Sequence, residues 1–319
     1  MPGLRDITIL DADDVARHAP YLDLVDWMRA AHRMAPAEVA RILFGPPGSS
    51  DNFMALPAWQ PGDSIGVKLA TIFPANTGRG IPSVQAVVLL FDGVDGTPLA
   101  LLDGTELTYR KTAADSALGS QLLSRPDSAT LLMVGAGGLA EHLVAAHRAV
   151  RPSIERVLVW NRTADKAAAL VHRGIADEAV DDLDAAVAAA DIICTATMTR
   201  DPLVAGALMK PGAHVDCVGA FLPDHREVDD DVVRRASIFV DARLATMHED
   251  GDLVIPLSTG VIEPADVLAD LYELCSEVHP GRTGDDEITM FENGGGGHLD
   301  LMTAQLVWQG ARSTLHRHG

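Results

Sequence analysis

The chain has 319 residues, 47% of them hydrophobic, which is enough for two domains with substantial cores. Its 25 basic and 45 acidic residues give a formal charge of −20, which repels a phosphate backbone and excludes a general nucleic-acid binder. No run of about 18 apolar residues is present, so no membrane span is expected.

The N-terminus leads into no long apolar segment, so no leader peptide is expected either. Three cysteines, Cys194, Cys217 and Cys275, lack C-x-x-C spacing. Their sparsity suits a cytoplasmic location and argues against a cysteine-based metal site; no metal is expected. His316 and His318 read as part of a solvated tail.

In chain order, a short strand is expected over Leu4–Leu10, with Asp11 or Asp13 capping a helix after it. A second helix is expected over Leu22–Met34, with Leu22, Val25, Met28 and Ala31-His32 on its apolar face. The Gly/Pro/Ser-rich stretch from Phe44 to Asp51 reads as a loop. Strands at 53–57, 65–73, 84–91 and 98–102 form a meander, with a turn at Asp92–Gly96. Lys68 lies inside the second of these strands. A lysine there is costly unless its ammonium reaches an anion, a cavity or, on an edge, water. A helix is expected from Thr108 to about Arg125. Arg110 and Lys111 at its start would oppose the dipole unless an anion or a salt bridge compensates.

Ser124-Arg125-Pro126-Asp127 reads as a domain junction. Beyond it strands and helices alternate, as in a parallel sheet covered on both faces. Leu131–Val134 is the first strand. It runs into Gly135-Ala136-Gly137-Gly138-Leu139-Ala140 and a helix to Val150, the setting in which G-x-G-x-x-G/A signals dinucleotide binding. Gly135 makes the tight turn, Gly137 admits the pyrophosphate, and Ala140 lets helix and strand pack closely. The helix N-terminus then offers N–H groups to the phosphates. Further strands are expected at 156–160, 192–195, 215–218, 238–240 and 288–291, with helices at 165–173, 183–189 and after the Asp229-Asp230-Asp231 run. Those aspartates read as a helix cap, not a metal site. A last helix, Leu299 to Leu315, is long enough to cross back to the first domain.

The second strand of the sheet decides the cofactor type. An NAD site usually presents an acid to the ribose about 20 residues past the glycine turn. This strand ends instead in Asn161-Arg162-Thr163. Arg162 is placed to pair with a 2′-phosphate and Thr163 to hydrogen-bond to it, so NADPH is expected, with NADH possible. The alternative is that Arg162 is a surface residue and Asn161 alone serves the ribose.

These residues together resemble the ornithine cyclodeaminase/μ-crystallin family over nearly the whole chain. The matching stretches are Met54-Ala55-Leu56-Pro57-Ala58, Val67-Lys68-Leu69, Phe73-Pro74-Ala75-Asn76, Leu107 to Ala114, the Gly135 turn and Val218-Gly219-Ala220. The resemblance implies a homodimer of two-domain chains. An α+β substrate-binding and dimerisation domain, 1–125, is completed by the C-terminal helix, 299–319. A doubly wound Rossmann domain, 126–298, binds the cofactor. The cofactor set expected is Gly135, Ala136, Gly137, Gly138, Leu139, Asn161, Arg162, Thr163, Thr195, Ala196, Thr197, Val218, Gly219 and Gly297.

The departures within the family are informative. The cyclodeaminase branch carries an aspartate two residues after the glycine matching Gly219; here Phe221 stands there and cannot act as a base. The Gly219-to-Glu227 segment, with Pro223-Asp224 and Arg226-Glu227, resembles the ketimine reductase branch. Asn293 to Asp300 resembles its bacterial members. A direct role for Asp224 is weighed against a turn or cap. An arginine that relatives use for substrate falls at Glu38, with Arg41 one step away as a substitute, and another falls at Lys111, which keeps the charge but loses the bidentate fork. The expected activity is reduction of a cyclic imino acid, with Lys68 catalytic and Lys68, Lys111 and Arg41 holding its carboxylate. Ornithine cyclodeamination and an NAD-dependent, alanine-type dehydrogenase are the alternatives, along with non-catalytic ligand binding.

Overall fold

Two stretches separated by most of the chain make the first unit, residues up to Lys111 and those from Gly296 onward; residues Thr112–Gly295 make the second. The structure, a computed structural model, describes residues 7–318. The start of the strand expected from Leu4 therefore lies outside the described residues, as do the side chains of His316 and His318.

The first unit opens with β1 (Thr8–Leu10) and α1 (Ala12–His18), capped by Asp11 in a reciprocal capping box with Asp14. Helix α2 (Tyr21–Ala31) buries Leu24, Val25 and Met28. The expected Leu22 is instead 47% exposed, because the helix is rotated to put Leu24 inward. Two short strands that the sequence pattern does not announce follow, β2 (Glu38–Val39) and β3 (Ile42–Phe44). The meander is β4 (Asn52–Gln60), β5 (Ser64–Ile72), β6 (Val84–Asp92) and β7 (Pro98–Asp103). Its sheet runs β1-β7-β6-β5-β4-β2, with β3 also on β4; β1 pairs parallel to β7 and the other pairs are antiparallel.

Helix α3 (Gly104–Leu123) starts four residues before the expected Thr108. Arg110 and Lys111 therefore sit in its second turn and do not oppose the dipole at the N-terminus. The division between the units falls within this helix, after Lys111, and not at the Ser124–Asp127 stretch.

The second unit is a parallel sheet. It comprises β8 (Thr130–Val134), α4 (Ala140–Val150), β9 (Arg156–Trp160), α5 (Ala164–His172), β10 (Glu178–Ala179), α6 (Leu183–Ala189), β11 (Ile192–Thr195), β12 (His214–Cys217), α7 (Asp230–Arg235) and β13 (Ser237–Val240). Then come α8 (Arg243–Glu249), α9 (Gly251–Thr259), β14 (Val267–Asp270), α10 (Leu271–Cys275) and β15 (Thr289–Glu292). The strand order β10-β9-β8-β11-β12-β15-β13-β14 is that of a doubly wound sheet, with the reversal between β8 and β11. Leu132, Val134, Ile193, Val215, Ile238 and Met290 belong to its core cluster. Asp229 caps α7 by accepting from the main-chain N–H groups of Asp231 and Val232, the role expected of the acidic run.

The chain then returns to the first unit through α11 (Gly297–His318). The buried face of β5 reads Ser64, Gly66, Lys68, Ala70. A side chain at Gly66 would meet Leu301 at 2.9 Å, so glycine lets α11 lie close to the strand. Among the described residues no helix is long and apolar enough to cross a membrane.

Candidate functional site

The closeness of β5 and α11 decides the state of Lys68. Its side chain is 6% exposed, and its ammonium lies 3.0 and 2.9 Å from the two oxygens of Asp300, itself 2% exposed, in the first turn of α11. Thr108 Oγ1 lies 3.5 Å away. Burial lowers the Lys68 pKa; Asp300 pulls it back up, and the charges of Lys111 and Arg41 push it down again. Asp300 therefore opposes the loss of charge that burial favours at Lys68, a role that sequence reasoning missed. Its signal was an aspartate after a glycine run, opening a helix whose packing partner was unknown.

Lys111 is 5% exposed and forms no ion pair among the described residues. Arg41 is exposed between β2 and β3, close enough to Lys68 to affect it. The first unit thus holds Lys68 and Lys111 buried, with the charges of Lys111 and Arg41 near enough to act on Lys68. Glu38 lies in the exposed edge strand β2, paired with Trp59. Arg110 is accounted for structurally. It bonds Glu106 at 2.6 Å and the Ala19 carbonyl at 3.0 Å, and stacks on Tyr21.

His298, at the start of α11, packs edge-on against His32 at 6.1 Å. Burial lowers His32 to about 4 and His298 to about 3, with His32 and Lys111 adding to the latter, so both rings are neutral at pH 7. A cavity of about 160 Å³ lies beside His298, lined in part by Trp27, Met34, Leu301 and Met302.

In the second unit, Gly135 has φ +114° and is buried; a Cβ there would meet the Ala196 carbonyl oxygen at 2.6 Å. Gly137 faces open space: a Cβ at that position would have nothing within 4 Å. The α4 N-terminus, at Leu139, has no side-chain cap, and Ala140 N–H bonds back to the Gly137 carbonyl at 3.1 Å. Asn161 Oδ1 accepts from Ala136 N at 3.1 Å and ties the end of β9 to the turn. Arg162 beside it is exposed and makes no ion pair among the described residues. Thr163 stands just before α5 at its cap position, its side chain making no capping bond. This cradle, with an open glycine, an uncapped helix end and an unpaired arginine, fits a phosphorylated dinucleotide.

The remaining expected positions divide. Ala196, Thr197, Val218 and Gly219 lie in the loops after β11 and β12, beside the Gly135 turn. Thr195 is fully buried and its hydroxyl donates to Glu227, so its side chain serves the interior. Gly297 belongs to the first unit, where it approaches the Pro57 carbonyl of β4. Phe221 is 43% exposed and stacks on His225 at 6.5 Å. Asp224 is exposed and engaged by Arg200 and His225, both at 2.9 Å, as a turn residue would be. Hydrogen bonding from His225 lowers its pKa.

The family model described as "Ornithine cyclodeaminase/mu-crystallin family" matches residues 8–314. A Δ1-pyrroline-2-carboxylate reductase from Paracoccus denitrificans is 45% identical over 305 residues, covering 93% of this chain and 95% of that protein. The ketimine reductase mu-crystallin of Mus musculus is 36% identical over 250 residues, covering 77% and 76%. The solved structure of Thermococcus litoralis Δ1-pyrroline-2-carboxylate reductase, in complex with NADH and L-proline, superposes with a TM-score of 0.90 at 29% identity, covering 97% of this chain and 98% of that one.

Proposed function

The chain belongs to the ornithine cyclodeaminase/μ-crystallin family, and from that premise we propose that it reduces a cyclic imino acid with NADPH. The substrate class is Δ1-pyrroline-2-carboxylate or its six-membered homologue Δ1-piperideine-2-carboxylate, and the products are L-proline or L-pipecolate. The observation that carries this reading is Lys111: a buried ammonium with no ion pair of its own among the described residues, next to the Lys68–Asp300 pair. A substrate carboxylate completes that set of charges. Relatives named as reductases of such imines, and a neighbouring structure holding NADH and L-proline, support it.

NADPH, when bound, would supply a hydride to the carbon of an imine that already carries its proton, so the ring nitrogen needs none from the protein. Lys111 and Arg41 hold the carboxylate. Lys68, fixed by both oxygens of Asp300, places an N–H donor toward the imine nitrogen and polarises it. The lysine needs to give up no proton, which is why a counter-ion that keeps it charged suits the task. Gly135 to Leu139 seat the pyrophosphate, Asn161 supports the turn, and Arg162 with Thr163 receive the 2′-phosphate. Ornithine cyclodeamination lacks its aspartate, since Phe221 occupies that place. An alanine-type dehydrogenase using NAD has no acid after β9 to hold the ribose.

The first unit also leaves Ile42, Phe44, Trp59, Val84 and Val87 between 41% and 60% exposed, an apolar surface suited to a second copy of the chain. A homodimer is the assembly that this supports, and the sparse cysteines, which form no disulfide among the described residues, suit the cytoplasm as its location.

The test is a spectrophotometric screen of NADPH and NADH oxidation with both cyclic imines, and with pyruvate plus ammonia or methylamine, alongside ornithine with NAD assayed for ammonia. Turnover with a cyclic imine is expected. Ammonia from ornithine, with no imine reduction, would sink the reading. Arg162→Ala is expected to raise the KM for NADPH at least about tenfold while that for NADH moves little, as for loss of a charged hydrogen bond. An equal rise for both cofactors removes Arg162 from 2′-phosphate recognition.

A further inference from the structure

Glu227 lies in the segment between β12 and α7, is fully buried, and has no part in the mechanism above. Its carboxylate accepts four hydrogen bonds. Oε1 takes Thr197 N and Thr197 Oγ1, both at 2.6 Å; Oε2 takes Thr195 Oγ1 at 2.7 Å and Gly219 N at 2.6 Å. The donors come from the end of β11 and the loop after it, and from the loop after β12. The residue is itself held from behind. Asp252 Oδ1 on α9 accepts from the main-chain N–H groups of Glu227 and Val228, at 2.8 and 3.0 Å, and the Glu227 carbonyl accepts from Leu203 and Val204.

The loops also meet the glycine turn. A side chain at Gly135 would strike Ala196, and one at Gly219 would strike the Thr197 backbone and Glu227 Oε1. The three loops therefore interlock at the C-terminal edge of the sheet, with the Glu227 carboxylate as the common acceptor of the two after β11 and β12. In a doubly wound sheet the β8-β9-β10 wing takes one mononucleotide half and the β11-β12-β15 wing the other, on either side of the reversal between β8 and β11. The glycine turn and Arg162 assign the adenine half to the first wing, which leaves the nicotinamide half to the loops that Glu227 joins.

We propose that Glu227 is a positioning residue that fixes the spacing of the loops after β11 and β12, and so the seat of the nicotinamide half of the cofactor. This rests on the dinucleotide reading above. The carboxylate suits the role because each oxygen receives one main-chain N–H. A glutamine, whichever way its amide lies, must turn an NH₂ against one of them. Burial pushes the Glu227 carboxyl up in pKa, and the donors from Thr197, Thr195 and Gly219 oppose that shift.

The experiment is calorimetric titration of wild type, Glu227→Gln and Thr197→Val with NADPH and, separately, with adenosine 2′,5′-bisphosphate, which carries the adenine half alone. In Glu227→Gln the NADPH Kd is expected to rise about tenfold or more, while the bisphosphate Kd stays within about twofold of wild type. Thr197→Val, which removes one donor and keeps the main-chain N–H, is expected to shift NADPH alone in the same direction by a smaller factor. It serves as the test should Glu227→Gln not fold. Equal weakening of both ligands would mean a general role in folding, and no weakening of either would mean that the loops do not need Glu227; each result overturns the proposal. Wild type that binds the bisphosphate but gains nothing from the nicotinamide half would overturn it as well. Wild type that binds neither ligand would instead refute the dinucleotide reading itself.

Discussion

Lys68→Met is expected to bind NADPH as tightly as wild type and to reduce the imine about a hundred- to a thousand-fold more slowly, the usual loss when one oriented donor to a developing charge is removed. Cofactor affinity is spared because the glycine turn is built in the other unit, from β8 and α4. Stability is a separate matter. Removing the ammonium strands Asp300, 2% exposed, and breaking a buried pair from one side costs about 3–5 kcal/mol. The double variant Lys68→Met with Asp300→Asn removes both charges. It should regain much of the lost melting temperature and none of the lost turnover. A return of turnover, or near-normal turnover in the single variant, removes Lys68 from the mechanism. Asp300→Asn alone has its own signature in pH. Asp300 raises the Lys68 pKa against burial and the charges of Lys111 and Arg41. Without it the ammonium loses its proton at lower pH, so the alkaline limb of the rate profile moves down in pH.

Gly137→Val is expected to leave the melting temperature nearly unchanged and to weaken NADPH binding by about a hundredfold. Nothing lies within 4 Å of the position its Cβ would take, so the protein accommodates the side chain. The space it fills is where a pyrophosphate approaches the backbone. Gly135→Ala is the contrasting case. Its φ of +114° is unfavourable for any L-residue and its Cβ would meet the Ala196 oxygen at 2.6 Å. It is expected to lower both affinity and melting temperature, the latter by several degrees for a cost of about 1–3 kcal/mol. Thermal melts with and without NADPH separate the two. A Gly137→Val protein that NADPH still stabilises as it does wild type would show that no pyrophosphate sits over that glycine.

The parallel sheet was legible because its strands are short apolar runs separated by helices, a pattern with few other folded solutions. The meander was legible for the same reason in its antiparallel form. Strands β2 and β3 were not, because Val39 and Ile42–Phe44 are exposed edge residues with no inward–outward alternation to announce them. Helix α9 was hidden by the proline it contains, Pro256, which local rules count as a breaker. Lys68 and Lys111 could be named from their types in apolar surroundings. Asp300 could not, since its partner lies 232 residues away and only the docking of α11 brings them together. Glu227 shows the limit most clearly. Its surroundings are donors from two loops that no spacing rule relates. Thr195 and Thr197, which the sequence expects at the cofactor, also direct their hydroxyls to that glutamate.

The split first unit sets an order of events during synthesis. Lys68 emerges from the ribosome well before its counter-ion on helix α11, which follows 232 residues later. The contiguous second unit, all parallel strands with local crossovers, is complete before that helix exists and is free to fold ahead of it. Until α11 arrives the strand bearing Lys68 has no carboxylate to bury its charge against, so the lysine stays turned to water or gives up its proton. The ion pair thus works as an assembly mark: Lys68 meets its counter-ion only once α11 has docked on β5.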